Sequence, residues 1–411
     1  MKLIFDVSDK PKAGQLVVFA LQQMLAILAA TIAVPLIIGN GLTPAAAMFG
    51  AGVGTIVYIL FTKRKSPVFL GSSFAFLGSM AAAFAGGVSM QLGMLGLIVG
   101  AFLAGLVYVV IAIVVKFVGV GWLNKLMPAV VIGPTVAIIG LSLAGNAIGD
   151  LVKGDVTKQV TEYAVSTDSG TPEIIETVSN VPVGSSYVAL ICGLITLAVV
   201  MLCSTYGKKT LRLIPFIIGI LAGYAAAAIF TVIGNICDID ALKIVDFSIF
   251  SSYMLTDGSV SLKTFVSLPD FAFVSGLEGL KEFDFTYFAT IFVAYVPVAL
   301  VVFAEHVADH KNLSSIIDHD LLEEPGLTRT LLGDGVGSIA GALFGGCPNT
   351  TYGESVACVA ITGNASVVTI FAAAIGCMLF SFITPLVAFV DSIPACVMGG
   401  VCIALYGFIA V

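Results

Sequence analysis

The sequence predicts an all-α polytopic membrane protein, and three observations carry that prediction. Hydrophobic residues make up 59% of the 411-residue chain and charged residues only 10%, against roughly 25% charged in a soluble domain. Apolar runs of about 20 residues, the length that crosses about 30 Å of hydrocarbon as a helix, recur from residue 15 to the end of the chain. Clusters of Lys and Arg fall on alternate connections between those runs, as short cytoplasmic loops require. Because lipid offers the backbone no hydrogen-bond partner, the runs must be helices, or broken helices lining a cavity.

The elements follow in order. Lys2, Lys10 and Lys12 precede the first apolar run and no small-residue cleavage site follows, so the first helix, 15–38, is read as retained. Spans 44–62 and 68–86 are joined through Lys63, Arg64 and Lys65, and spans 92–116 and 127–147 across Lys116 and Lys125. An acidic loop, 148–186, leads to spans 187–204 and 213–235, which flank Lys208, Lys209 and Arg212. A second acidic loop, 236–284, precedes spans 285–306, 328–345, 350–364, 366–390 and 393–411, a total of about twelve. The basic connections share the side of the N-terminus, which places that terminus in the cytoplasm and both acidic loops outside. Those two loops, rich in Thr, Ser, Val and Asp, read as short strands and turns.

Several classes of function find no support. There is no phosphate-binding Gly-rich loop and no soluble stretch long enough for a nucleotide-binding domain, so direct drive by ATP and nucleic-acid binding are not expected. An intramembrane enzyme would need a constellation such as H-E-x-x-H or a Ser/His pair within the spans, and none is present. The eight cysteines lie singly, without metal-ligand spacing, and read as small apolar packers. The net charge of −7 sits mostly in loops.

Against that apolar background two acids stand out, Glu305 and Glu354. A carboxylate inside a bilayer costs several kcal/mol unless it faces a cavity or a partner, so each marks a candidate site. On a helix Asp309 lies one turn beyond Glu305 and shares its face, while His306 points elsewhere. Two carboxyls at that spacing cannot both ionise cheaply, which suits them to hold a proton, or as oxygen ligands a sodium ion. For Asp309 and His310 the plainer alternative is a place among the cytoplasmic headgroups.

Two further segments interrupt the helical pattern at places that would correspond in a repeat. Ser66-Pro67-Val68-Phe69-Leu70-Gly71-Ser72-Ser73-Phe74-Ala75-Phe76 opens the third span, and Gly345-Gly346-Cys347-Pro348-Asn349-Thr350-Thr351-Tyr352-Gly353-Glu354 opens the tenth. Paired interruptions of this kind point to a transporter's site, because a half-helix presents its free N–H groups near the bilayer midplane. Glycines such as Gly353 permit close backbone approach. Tyr352 could stack on or bond to a flat ligand, or belong to an interfacial belt. Such a set suits a small planar molecule carrying both N–H donors and carbonyl acceptors.

On Gly71-Ser72-Ser73-Phe74-Ala75-Phe76, Ala304-Glu305-His306 and Pro348-Asn349-Thr350-Thr351-Tyr352-Gly353-Glu354, the chain resembles the nucleobase-cation symporters, also called nucleobase-ascorbate transporters, in their bacterial uracil permease branch. The resemblance runs from about residue 10 to the end. It implies fourteen spans in two inverted repeats of seven, with short strands in spans three and ten. It also implies a core domain (spans 1–4 within 15–147, and 285–390) moving against a gate domain (the remainder of 15–147, then 187–235 and 393–411). Uracil or a related nucleobase would be carried with a proton, or with sodium, across the cell membrane; no cofactor is implied, and a homodimer through gate helices is. Carried onto this chain, Glu305 and Glu354 would bond the ring N–H groups, and backbone amides near Ser73 and Phe74 and from Tyr352 to Gly353 would meet the carbonyls. Asp309 stands where the family has a coupling histidine, which leaves the ion to Asp309 and Glu305. Other departures are Gln22-Gln23 in place of Gln-His, and Ser355, Ala357, Thr362 and Gly363 after the second acid. Because Val411 lies inside an apolar run, two gate helices are expected beyond it. A purine or xanthine carrier of the same family and an anion carrier of related fold remain the alternatives.

Overall fold

The computed structural model describes residues 3–119, 121, 147–166, 173–208, 211, 214–254 and 259–410, with 134, 138, 141, 144 and 145 between them. The expected fifth span, 127–147, falls almost wholly outside the described residues, as do Lys125, Lys209 and Arg212.

The N-terminal part carries α1 (Ala13–Ile38), α2 (Pro44–Phe61), the short strand β1 (Leu70–Ser72), a 3-10 turn at Phe74–Phe76 leading into α3 (Leu77–Ala83), and α4 (Met90–Val118). A hairpin of β2 (Thr157–Ser166) and β3 (Glu173–Pro182) stands before α5 (Ser186–Tyr206) and α6 (Pro215–Cys237). The segment after α6 holds α7 (Ser248–Met254) and α8 (Ala272–Glu278). Next come α9 (Phe285–Ile317), α10 (Leu327–Gly345), β4 (Asn349–Thr351), α11 (Gly353–Thr362), α12 (Val367–Phe380), α13 (Thr384–Asp391) and α14 (Ala395–Ala410). Among the described residues six helices, α1, α2, α4, α5, α6 and α9, are long and apolar enough to cross a bilayer, and α13 with α14 forms a pair bent by 83°.

Two packing groups are visible. In one, α10 packs on α2 and α4, α12 on α1 and α2, and α9 on α4. In the other, α5, α6 and α14 pack on one another. Helix α1 touches both groups through α6 and α14. The α2–α10 seam is made of small residues: a β-carbon on Gly337 would stand 2.7 Å from the Gly54 carbonyl oxygen. In lipid, where apolar side chains gain little by leaving their solvent, such close backbone approach supplies the attraction between helices.

Three expectations need correction. Helix α9 does not end near 306 but continues to Ile317; polar residues from Glu305 onward contain neither Gly nor Pro, so nothing stops the helix where the apolar run stops. His310 is consequently buried in the protein and not among headgroups. The single span expected over 366–390 is two helices with a break at 381–383, where Pro385 opens α13, because proline withdraws an N–H and disfavours helix in the residue before it. The segment 236–284 holds helical turns instead of strands, with one isolated bridge between Val266 and Ile383 among the described residues.

Candidate functional site

The two interrupted segments meet. Strands β1 and β4 pair antiparallel, Leu70 with Thr351, Gly71 with Thr350 and Ser72 with Asn349. The pairing continues at both ends, where Ser73 donates its N–H to the Pro348 carbonyl (2.9 Å) and Tyr352 to that of Phe69 (3.2 Å). Each strand runs straight into a helix, so the 3-10 turn with α3 and α11 start from opposite ends of one short ladder. The first amides of such helices have no intrahelical acceptor and carry the positive end of the helix dipole.

Buried side chains brace this ladder. The Thr55 hydroxyl accepts the Leu70 N–H (2.9 Å), and the Ser355 hydroxyl accepts both the Phe69 N–H (3.1 Å) and the side-chain amide of Gln23. Asn349 donates to the Gly50 carbonyl on α2 (3.2 Å). Tyr352 is 4% exposed, and its hydroxyl donates to the Ser72 carbonyl (2.9 Å). Its ring lies where any β-carbon on residue 71 would have to go, so only glycine fits there. Tyr352 is thus a brace between the strands, and because its N–H is already spent on Phe69 and that of Glu354 on the Glu354 carboxyl, the first amide left at this end is that of Gly353.

Next to this amide stand the acids. Glu305 and Asp309, one turn apart on α9, and Glu354 in the first turn of α11 are each partly open, although their neighbours Ala304, His306, Tyr352 and Ser355 are buried. The three carboxyls are near enough to repel one another. Thr351 donates its hydroxyl to Asp309 Oδ2 (2.6 Å), and Asp309 Oδ1 lies 3.9 Å from the position a β-carbon would take on Gly353. Glu305, Asp309, Gly353 and Glu354 therefore surround one opening that mixes carboxylate acceptors with amide donors. Of the other residues named from the sequence, Phe74 is 6% exposed and sets its ring edge-on to Tyr406 of α14 (centroids 5.5 Å apart). Ser73 is buried, and its hydroxyl has no hydrogen-bond partner.

A second polar group, which sequence reasoning did not find, lies on the opposite face of α9. His306 Nδ1 stands 2.6 Å from Asp334 Oδ2 of α10, and His306 Nε2 stands 3.1 Å from the Thr330 hydroxyl. One turn further, His310 Nδ1 donates to the His306 carbonyl (2.7 Å) while Nε2 accepts from Tyr58 (2.6 Å), whose oxygen is 2.7 Å from that of Ser66. All six side chains are fully buried. A lone Asp in the Gly-rich run Gly333-Asp334-Gly335 was the signal available, since an ionisable residue within a span is seldom without a role.

Comparison with known proteins identifies the family to which the chain belongs. The family model Xan_ur_permease, described as the permease family, matches residues 14–411. The chain is 35% identical over 411 residues to a uracil permease of Bacillus caldolyticus, covering all of this chain and 81% of that one. It is 32% identical over 403 residues to the uracil permease of Escherichia coli, covering 98% and 79% respectively. In fold it is similar to the transmembrane domain of the cyanobacterial bicarbonate transporter BicA, with a TM-score of 0.63 at 14% identity over 98% of this chain and 91% of that one. The chain is therefore a multi-pass membrane transporter and not an enzyme, and it belongs to the Xan_ur_permease family, the nucleobase-ascorbate transporters.

Proposed function

We propose that this chain carries uracil, or a closely related pyrimidine nucleobase, across the cytoplasmic membrane in symport with a cation, a proton in the first instance and sodium in the second. The observation that supports this reading best is the opening formed by Glu305, Asp309, Glu354 and the α11 amides. Uracil presents two ring N–H donors and two carbonyl acceptors in one plane, so carboxylates facing its nitrogens and helix N-terminal amides facing its oxygens satisfy every polar edge. Three acids with no net positive charge from the half-helices beyond their dipoles also favour a neutral base, arriving with a cation, over an anion. The full architecture is read as seven spans and their inverted repeat, with the α1–α4 and α9–α12 group as core and the α5, α6 and α14 group as gate. The N-terminus is placed in the cytoplasm, and a homodimer is the assembly expected.

The test is binding of radiolabelled uracil to detergent-purified protein, wild type beside Glu354→Gln, at several pH values with and without sodium. Saturable binding that falls at least tenfold in the variant, a loss of about 1.4 kcal/mol, is the expected result. Binding of xanthine in preference to uracil would reassign the substrate, and uptake of bicarbonate or another anion would overturn the reading.

A further inference from the structure

We infer that the His306–Asp334 pair, behind the ligand-facing acids, is a proton-binding site that takes up one proton and is neutral when loaded; this rests on the reading of the chain as a proton-coupled carrier.

The hydrogen-bond geometry supplies two complete states. In the empty state His306 donates from Nδ1 to Asp334 Oδ2 (2.6 Å), and its unprotonated Nε2 accepts from the Thr330 hydroxyl (3.1 Å). In the loaded state one more proton is present, and Nε2 carries a hydrogen that it donates to Thr330. Thr330 then turns its own hydrogen to the Leu327 carbonyl, which is also 3.1 Å away. Whether the added proton settles the pair as imidazolium with carboxylate or as imidazole with carboxylic acid, Nε2 is a donor and the pair's charge goes from −1 to 0. The Thr330 hydroxyl, within reach of both acceptors, is the rotor that keeps His306 Nε2 bonded in both states.

Two further observations favour uptake of a proton here. Asp334 is fully buried, and its Oδ1 has no hydrogen-bond partner. A buried pair with a net negative charge and an unsatisfied carboxylate oxygen is costly, and a proton brings the pair to neutrality. The groups facing His306 are few. On α9 they are Glu305 and Asp309 on the other face and His310, whose ring centroid is 4.1 Å away; on α4 it is Tyr108, with centroids 6.0 Å apart; on α2 it is Tyr58, bonded to His310; on α10 they are Asp334 and Thr330. Among these described groups none brings a positive charge of its own. Since His306 is adjacent in sequence to Glu305 on one helix, a change of charge here is felt at the ligand-facing acids within a few ångströms.

Only three histidines, His306, His310 and His319, occur in the chain, so imidazole nitrogen-15 spectra of detergent-purified protein across pH resolve them individually. The expected result is a change of His306 Nε2 from unprotonated to protonated as pH falls, with Asp334→Asn abolishing it and Thr330→Val moving its midpoint down by about one pH unit, because the loaded state loses an acceptor for a buried donor. In parallel, uracil binding by wild type is expected to be accompanied by uptake of one proton, lost in His306→Gln, which keeps hydrogen-bonding capacity but cannot take a proton. A His306 Nε2 that never changes state, or proton uptake that survives in His306→Gln, would overturn the inference. Titration of His306 in a protein that binds no uracil would instead leave the proton site standing and overturn the carrier reading.

Discussion

Asp155 shows how a single side chain can set a pH limit on stability. It lies in the segment before β2, half-buried, and its Oδ1 accepts the N–H of Ala395 at the start of α14 (3.1 Å). Burial pushes its carboxyl up to about 6, against the pull of that hydrogen bond, and Asp246 and Asp150 add repulsion. In the unfolded chain the same group titrates near 3.8. Between those two values the folded protein holds the extra proton, so stability falls as pH rises through that window and stays lower above it. Asp155→Asn retains an oxygen for the Ala395 N–H and carries no charge. It is expected to unfold at a higher temperature than wild type above pH 6 and at the same temperature below 3.8, as read by thermal denaturation in detergent. A gain of equal size at both pH values would mean that charge is not the cause. Rarity made some residues legible in the sequence and spacing made others so. Glu305 and Glu354 stand out because acids are scarce in apolar spans, and Asp309 joins them through its spacing of four from Glu305. The His306–Asp334 pair was not legible: its members are 28 residues apart on different helices, and only the packing of α9 near α10 brings them together. Tyr352 is the instructive middle case, since the sequence reads it as a ligand contact or an interfacial belt residue, and its bond to the Ser72 carbonyl makes it instead a brace between the strands.

At the scale of elements, α10 and the β1–β4 ladder act as one unit. Gly337 faces the Gly54 carbonyl on α2 and the Leu70 side chain of β1, with no room for a β-carbon (2.7 and 2.9 Å). Gly337→Ala must therefore push α2 or β1 aside, a displacement that costs about 1–3 kcal/mol. Because Leu70 belongs to the ladder from which both half-helices start, uracil binding is expected to weaken along with stability. Paired melting and binding measurements on this variant check the point: lower stability with full uracil affinity would show that the ladder is not held by the α2–α10 seam. The sequence disclosed the two interruptions through their Gly, Pro and polar residues, but the antiparallel pairing joins residues as much as 281 positions apart (Leu70 with Thr351). Helix ends were legible where Pro or Gly marks them and misread where apolar composition was used in their place. Hence an apolar run ends α9 at 306, eleven residues before Ile317, and the same criterion joins α12 to α13 across the break that Pro385 marks.

Across the whole molecule, Glu305, Asp309 and Glu354 lie in one packing group while the aromatic partner of the Phe74 half-helix lies in the other. Phe74 follows β1 directly, and its ring meets that of Tyr406 on α14 edge-on at 5.5 Å. Helix α14 packs with α5 and α6, and it is connected to α12 through α13, whose axis makes an angle of 83° with it. If transport moves one group past the other around a fixed site, this contact must open in every cycle, with α13 and the Pro385 break absorbing the change of direction. Locking it tests that requirement. With the eight native cysteines replaced, Phe74→Cys combined with Tyr406→Cys places two thiols across the interface, and a bifunctional thiol reagent with a reducible disulfide in its spacer joins them over the gap that the two rings leave. Uracil uptake into proteoliposomes is expected to stop on cross-linking and to return on reduction, each sample serving as its own reference for any weakening caused by the substitutions. Uracil binding to the cross-linked protein is expected to persist, because the acids and the α11 amides belong to a single group and need no motion to meet the ligand. Uptake that continues at the reduced rate after complete cross-linking would rule out movement of α14 against the β1 half-helix and require that access alternate within one packing group.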